Sequence, residues 1–374
     1  MKRLVLSLVS FSLAGVLALT GCKKDDNKGG NNDNFDRKAL LTNYADNYIL
    51  PAYADMSAKL TALNTAAATF TAAPDLSSLE ALRYSWMEAY STWQRVDLCE
   101  FGPGESVSLR MYMNIFPVTV SKVNANIAAG SYDLETFNNK DAQGFPAIDY
   151  LINGLGANDN EILGFYTSDA QAGARKQYLL NVIAKMQEKV SAVRTAWGSY
   201  RAGFIENTGT DVSSSLTRMV NGFVLYYERY LRTAKFGLPA GVMTSIARPD
   251  LTEAYYRPEF ADELAIQSLA AVRQFYEGAH YSGGSDGPGL KDYLAALNTQ
   301  DDNGVLIANI ISTELDEAAA SVQNLGQPLS TAVVNNRGAV LTIFDELQEV
   351  VPLLKVDMVS ALGISITYTD NDGD

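Results

Sequence analysis

The sequence predicts an all-α protein, and three observations carry that prediction. Apolar residues recur at steps of three and four in one segment after another. No comparable set of segments alternates apolar with polar residues, as half-buried strands would. Turns rich in Gly and Pro, such as Gly102-Pro103-Gly104, interrupt the periodic runs where helices must stop.

The chain opens with Lys2 and Arg3, continues with an uncharged apolar run over residues 4–19, and reaches Leu19-Thr20-Gly21-Cys22. A basic start, a short apolar run and small residues are the anatomy of a secretory signal peptide, not of a domain helix. Residues 19–22 resemble the bacterial lipobox, in which small residues admit the signal peptidase and the cysteine thiol carries diacylglycerol. The expectation is that residues 1–21 are removed and that Cys22 holds the protein on a membrane of the bacterial envelope, the outer membrane in particular. The alternative is an ordinary signal peptide with a chance cysteine. One acyl chain anchors a protein only marginally, whereas several anchor it stably.

Residues 22–36 form a tether. From residue 23 they read KKDDNKGGNNDNFD, with no aliphatic side chain to offset the entropy of ordering. Lys24-Asp25-Asp26 also resembles the signal by which some bacteria flip lipoproteins to the cell surface. Beyond the tether, Leu79, Leu82, Trp86, Ala89 and Trp93 share one helix face, behind a Ser77-x-x-Glu80 capping box. The pattern returns with Leu179, Ile183, Met186, Val190, Val193 and Trp197, with Leu216, Met219, Phe223, Tyr227 and Tyr230, and with Val340, Phe344, Leu347 and Val351. Helices of roughly 20 residues packed as bundles follow from these runs.

Two bundle halves, 37–210 and 211–374, are expected, with the break near residues 207–214. A helix running into Phe101-Gly102-Pro103-Gly104 is echoed by one running into Phe236-Gly237-Leu238-Pro239-Ala240-Gly241. Gly144 with Asp149-Tyr150-Leu151 is echoed by Gly287 with Asp292-Tyr293-Leu294. Matches in the same order suggest internal duplication. Chance similarity of helix caps is the alternative, since Gly and Pro are expected at helix ends.

A formal charge of -14 repels phosphate backbones, which argues against nucleic acid as a partner. The same acidity makes cations plausible partners, although a solvated surface is the simpler account of it. With Cys22 taken by the anchor, Cys99 is a lone thiol and no disulfide is available, so stability must come from burial. The chain has 47% hydrophobic residues, enough for one large core or two ordinary ones.

Chemistry-bearing motifs are few. The single histidine, His280, lies in a Gly- and Ser-rich loop, which excludes a histidine-based zinc site. Cys99 has no histidine near it in sequence and reads as a buried helical cysteine. There is no Gly-x-Ser-x-Gly elbow, no Walker loop and no dinucleotide-binding glycine turn. Asp370-Asn371-Asp372-Gly373-Asp374 begins like a calcium loop but lacks the closing Glu, and reads as an acidic tail.

The remaining candidate is residues 144–154, GFPAIDYLING. Its layout resembles the imelysin-like proteins, iron-regulated proteins classed with the M75 peptidases, whose signature is Gly-x-His-x-x-Glu. Gly144 matches the glycine, Pro146 stands at the histidine position and Asp149 at the glutamate position. Residues 86–103 (WMEAYSTWQRVDLCEFGP), 227–241 (YERYLRTAKFGLPAG) and 360–374 (SALGISITYTDNDGD) resemble further segments of that family in the right order. The resemblance implies two helical halves, a site in the cleft between them beside the signature helix, and a tie to iron uptake; some members are peptidases.

His and Glu three apart on a helix face the same way and can together hold a metal or a water. Proline has no lone pair to offer. Pro146 suits the first turn of a helix that Asn153-Gly154 then closes, and this local reading needs no ligand. The resemblance and the missing histidine together imply a non-catalytic binding module serving iron or metal acquisition. Asp149 would supply one carboxylate oxygen, joined by Asp292, Glu228 or Glu253. A carboxylate-only site would favour iron or another hard cation; otherwise each of these residues is a solvated or paired surface charge. An M75-type metallopeptidase with substituted ligands is a second reading. A surface protein that binds a peptide, glycan or receptor is a third, with Tyr226, Tyr227 and Tyr230 lining its groove.

Overall fold

The computed structural model describes residues 34–369, and these are helical almost throughout. Cys22, most of the tether and the 370–374 tail lie outside the described residues. Among the described residues no helix is long and apolar enough to cross a membrane.

The first lobe is built on two helices joined by a turn too short to let them do anything but lie antiparallel: Leu50–Ala72 and Leu76–Val96. The second starts two residues earlier than the sequence suggests. Asp75, not Ser77, is the cap: its carboxylate accepts the Ser78 N–H at 2.7 Å, and the Ser78 hydroxyl accepts the Asp75 N–H at 3.1 Å. An aspartate after Pro74 caps as well as a serine, and it leaves Ser77 and Glu80 inside the helix. As expected, Leu79, Leu82, Trp86, Ala89 and Trp93 are all buried. The α-helix ends at Val96 and passes through a 3-10 turn, Asp97–Cys99, before Gly102 turns the chain with φ +55.

The longest helix, Ala172–Glu206, has 35 residues, well beyond the expected length. No proline interrupts it, and it packs along Leu50–Ala72. It ends at Glu206, and residues 207–214 connect it to Ser215–Leu225. That helix runs on into a wide π-helical stretch, Tyr226–Gly237. With Pro258–Glu277, Ile307–Gln323 and Arg337–Pro352 it forms the second lobe.

The lobes are fused by contacts between Leu76–Val96 and Pro258–Glu277. Phe260 meets Trp86 and Tyr90, with ring centroids 5.5 Å and 6.3 Å away. The start of the chain also crosses over. Phe35 stacks on Tyr293 at 4.5 Å, Tyr44 donates its hydroxyl to the Phe275 carbonyl, and Asn43 bonds the Gly278 carbonyl.

The tyrosines expected to line a groove do not line one. Tyr226 and Tyr227 are fully buried, and Tyr230 lies under the guanidinium of Arg110 at 3.6 Å. Tyr226 and Tyr227 are neighbours on a stretch enclosed on more than one side, so both rings enter the core.

Candidate functional site

The Gly144–Asn153 helix is held from outside at both ends. The Trp86 indole donates to the Phe145 carbonyl at 3.2 Å. At the other end, where helix carbonyls have no partner of their own, Arg83 donates twice to the Ile152 carbonyl and the Tyr166 hydroxyl donates to that of Leu151. Pro146 sits in the first turn and Asn153 is the last residue, as the sequence predicts. Gly154, however, is not a left-handed cap: its φ is -105. Space requires it, because a Cβ there would lie 2.4 Å from the Tyr256 ring.

Pro146 and Asp149 face a cavity of about 180 Å³. Its other walls are Phe116, Pro117 and Val118, joined through a cis Phe116–Pro117 bond, and the second-lobe segment from Asp250 to Tyr256 that leads into the Pro258–Glu277 helix. The cavity therefore lies where the first lobe's signature helix meets the second lobe. Asp149 is fully buried, accepting the Tyr256 N–H at 3.0 Å and the Asn153 amide at 2.9 Å. Burial pushes its carboxyl up to about 7, with the Asn153 and Tyr256 donors opposing the shift. Thr252 is 1% exposed and its hydroxyl has no hydrogen-bond partner. Ala254, next but one, adopts φ +52, which is rare for a residue with a Cβ.

The four candidate carboxylates are not brought together. Glu228 is buried in the second lobe against Lys355 and the Tyr368 hydroxyl. Glu253 is buried against Lys235, with Gln94 and Asn114 donating to its other oxygen at 3.2 and 2.7 Å. Asp292 alone is exposed, and it caps its own helix by accepting the Gly289 N–H at 2.9 Å. Asp149 and Asp292, matched in the proposed repeat, thus do different work: one bridges two lobes and the other closes a helix start. Three of the four are interior groups, not surface charges, because each has donors positioned to satisfy it.

A metal ion does not fit these residues. Proline occupies the histidine position, both Asp149 oxygens already accept N–H donors, and Asp250 is held by Arg248 at 2.6 Å. Among the described residues no group of three or more His, Cys, Asp or Glu side chains is placed to hold a metal. His280 is half-buried in its loop, and Cys99 is buried beside the Tyr53 hydroxyl that donates to its carbonyl.

Thr252, Tyr255 and Tyr256 carry no periodic sequence signature, because they lie in an irregular connector. Two adjacent tyrosines outside any helix pattern were the one available signal.

These features define a class: an all-α protein of two fused lobes with a small cavity at their junction, one wall of which is a Gly-x-Pro-x-x-Asp helix. The sequence profile of the Imelysin family, peptidase M75, matches residues 49–350, and the chain belongs to that family. It is 23% identical over 325 residues to iron-regulated protein A of Synechococcus elongatus, covering 82% of each chain. Its fold matches an imelysin-like protein from Psychrobacter arcticum with TM-score 0.69 and 19% identity, over 89% of this chain and 97% of that one. A protein from Parabacteroides distasonis described as an iron-regulated protein A precursor matches with TM-score 0.71 and 14% identity, over 87% and 95%.

Proposed function

We propose that the mature protein is a non-catalytic binding module of the bacterial envelope, anchored through Cys22, which takes a small ligand in the cavity at the lobe junction and serves iron acquisition. One observation carries the binding role. Pro146 and Asp149, the two altered signature positions, still face a cavity between the lobes, but the group needed to activate water or hold a metal is gone. The link to iron rests on the Synechococcus relative, named for iron regulation. The envelope location rests on the lipobox-like Leu19-Thr20-Gly21-Cys22.

Native mass spectrometry of protein purified from iron-limited cells tests this reading. A bound small molecule present with wild type and lost with Thr252→Trp is the expected result. Chelator-sensitive cleavage of an unfolded protein, abolished by Asp149→Ala, would establish the peptidase reading instead.

A surface-interaction role has one observation in its favour. Val242, Met243 and Ile246 are exposed in the connector that leads to the cavity wall. Capture of one specific envelope protein, lost with Met243→Glu and Ile246→Glu together, would support it.

A further inference from the structure

Resting on the reading that the cavity holds a ligand, we infer that this ligand is a small organic cation, a protonated amine carried on an apolar or aromatic body. Four features of the wall point to that chemistry.

The first is charge. The lining includes Asp149 and Asp250 and no Lys, Arg or His. The arginines that flank this wall in sequence are engaged, Arg248 by Asp250 and Arg257 by Glu259, each at 2.6 Å. An anion would meet two carboxyl groups and no free cation.

The second is the unpartnered Thr252 hydroxyl, a buried group whose lone pairs receive nothing. Buried polar atoms are rarely left in that state, and each one needs an explanation. An ammonium is donor-only and would supply what this oxygen lacks, and Asp149 in the same lining is a second acceptor for it. Asp149 has accepted one N–H on each oxygen and retains lone pairs for a third. That is sufficient for an ammonium, which needs single acceptors, and insufficient for a bare metal ion, which needs a full shell of oxygens.

The third is the pair of tyrosines. Tyr255 and Tyr256 both line the cavity and meet edge to face, 5.2 Å between centroids and 74° between planes, so that their ring planes are turned apart. Aromatic faces attract organic cations through the ring quadrupole. The fourth is the opposite wall, where Phe116, Pro117, Val118 and Pro146 offer an apolar surface for the body of the ligand.

The raised Asp149 carboxyl supports the same assignment. A cation beside it favours the carboxylate, so binding releases a proton near neutral pH. The other charged groups acting on Asp149 are Arg257, which opposes the shift, and Glu259, which adds to it; Asp250 lines the same cavity.

Three probes on one phenyl body separate the possibilities: benzylamine, benzyl alcohol and benzoate, titrated by calorimetry into the whole mature chain. The expected result is benzylamine binding at least about tenfold tighter than benzyl alcohol, with benzoate silent. Thr252→Val and the rim substitution Tyr255→Ala should each weaken benzylamine several-fold. The rim residue is 41% exposed, so its removal reports on binding and not on folding. Benzyl alcohol or benzoate binding as tightly as the amine, and weakened by Thr252→Val, would overturn the cation assignment while leaving the cavity as the ligand site. Binding by none of the three, or binding that neither substitution alters, would overturn the cavity reading itself.

Discussion

Asp149 accepts the backbone N–H of Tyr256 across 107 residues of chain, and this one hydrogen bond joins the signature helix of the first lobe to the cavity wall supplied by the second. The carboxyl is charged there only against the cost of burial, which is why it titrates at about 7 instead of in the usual carboxylate range.

The sign of the pH effect follows. In the unfolded chain Asp149 loses its proton near pH 4, in the folded chain near 7, so between these values the folded state holds more protons. Stability from this group is therefore complete below about pH 4 and is lost as pH rises to 7. Asp149→Asn removes that loss. Its carbonyl can still accept from Tyr256, and its amide can donate to the Asn153 oxygen, now without a partner, if that side chain flips. Thermal unfolding should show Asp149→Asn close to wild type at pH 4 and increasingly more stable than wild type as the pH rises to 8, where each pKa unit of the shift represents about 1.4 kcal/mol. Glu100, also raised to about 7, and Asp262, raised to about 6, keep part of the wild-type slope in place. An identical pH dependence for mutant and wild type would contradict the assignment.

The Lys235–Glu253 pair should behave as a unit. Both side chains are 3% exposed, and the lysine also donates to Gln94, which accepts from Ser268 as well. Removing one partner of a buried pair leaves an uncompensated charge and costs about 3–5 kcal/mol. Lys235→Met should lower stability to urea by that amount. Adding Glu253→Gln removes the stranded charge while retaining an acceptor for Asn114, so the double variant should recover most of the loss. Additive losses in the double variant would mean that the two residues are not coupled.

The helical class and the signature helix were legible because their signals are local. Pro146 in a first turn and the Trp86 face each declare themselves within a few residues. What was illegible depends on distant partners. Nothing near Glu253 in sequence tells that Lys235 and Asn114 will enclose it, so a surface charge was the natural reading. Gly154 was read correctly as an ending but for the wrong cause, since the ring it accommodates belongs to Tyr256. The far wall of the cavity lies in a connector, where neither period nor cap constrains the side chains.

Cys99 offers a probe of global unfolding. It is fully buried, and burial pushes its thiol well above the ordinary cysteine range, leaving almost no thiolate at neutral pH. In a Cys22→Ser form, a thiol-reactive chromophore should fail to label native protein and should label one site in urea, with a midpoint that matches loss of helix. Rapid labelling without denaturant would show that the region around the Asp97–Cys99 turn opens on its own.

Two glycines make opposite predictions under the same substitution. Gly144 opens the signature helix at φ +75, and a Cβ added there would stand 2.3 Å from the Met113 carbonyl oxygen, a backbone atom with little freedom to yield. A left-handed conformation costs a residue with a Cβ about 1–2 kcal/mol before any clash. Gly144→Ala should therefore destabilise by more than that, and because the displaced helix carries Pro146 and Asp149, it should also abolish binding in the cavity. Gly198 lies exposed in the interior of the Ala172–Glu206 helix with nothing within 4 Å of a new Cβ. There the extra backbone freedom of glycine in the unfolded chain is the only difference, and Gly198→Ala should stabilise by about 0.5–1 kcal/mol. Urea unfolding of both variants against wild type decides the matter. Equal effects of the same sign would mean that the position of Gly144 against the Met113 carbonyl does not constrain the signature helix, and the cavity would lose its rigid wall.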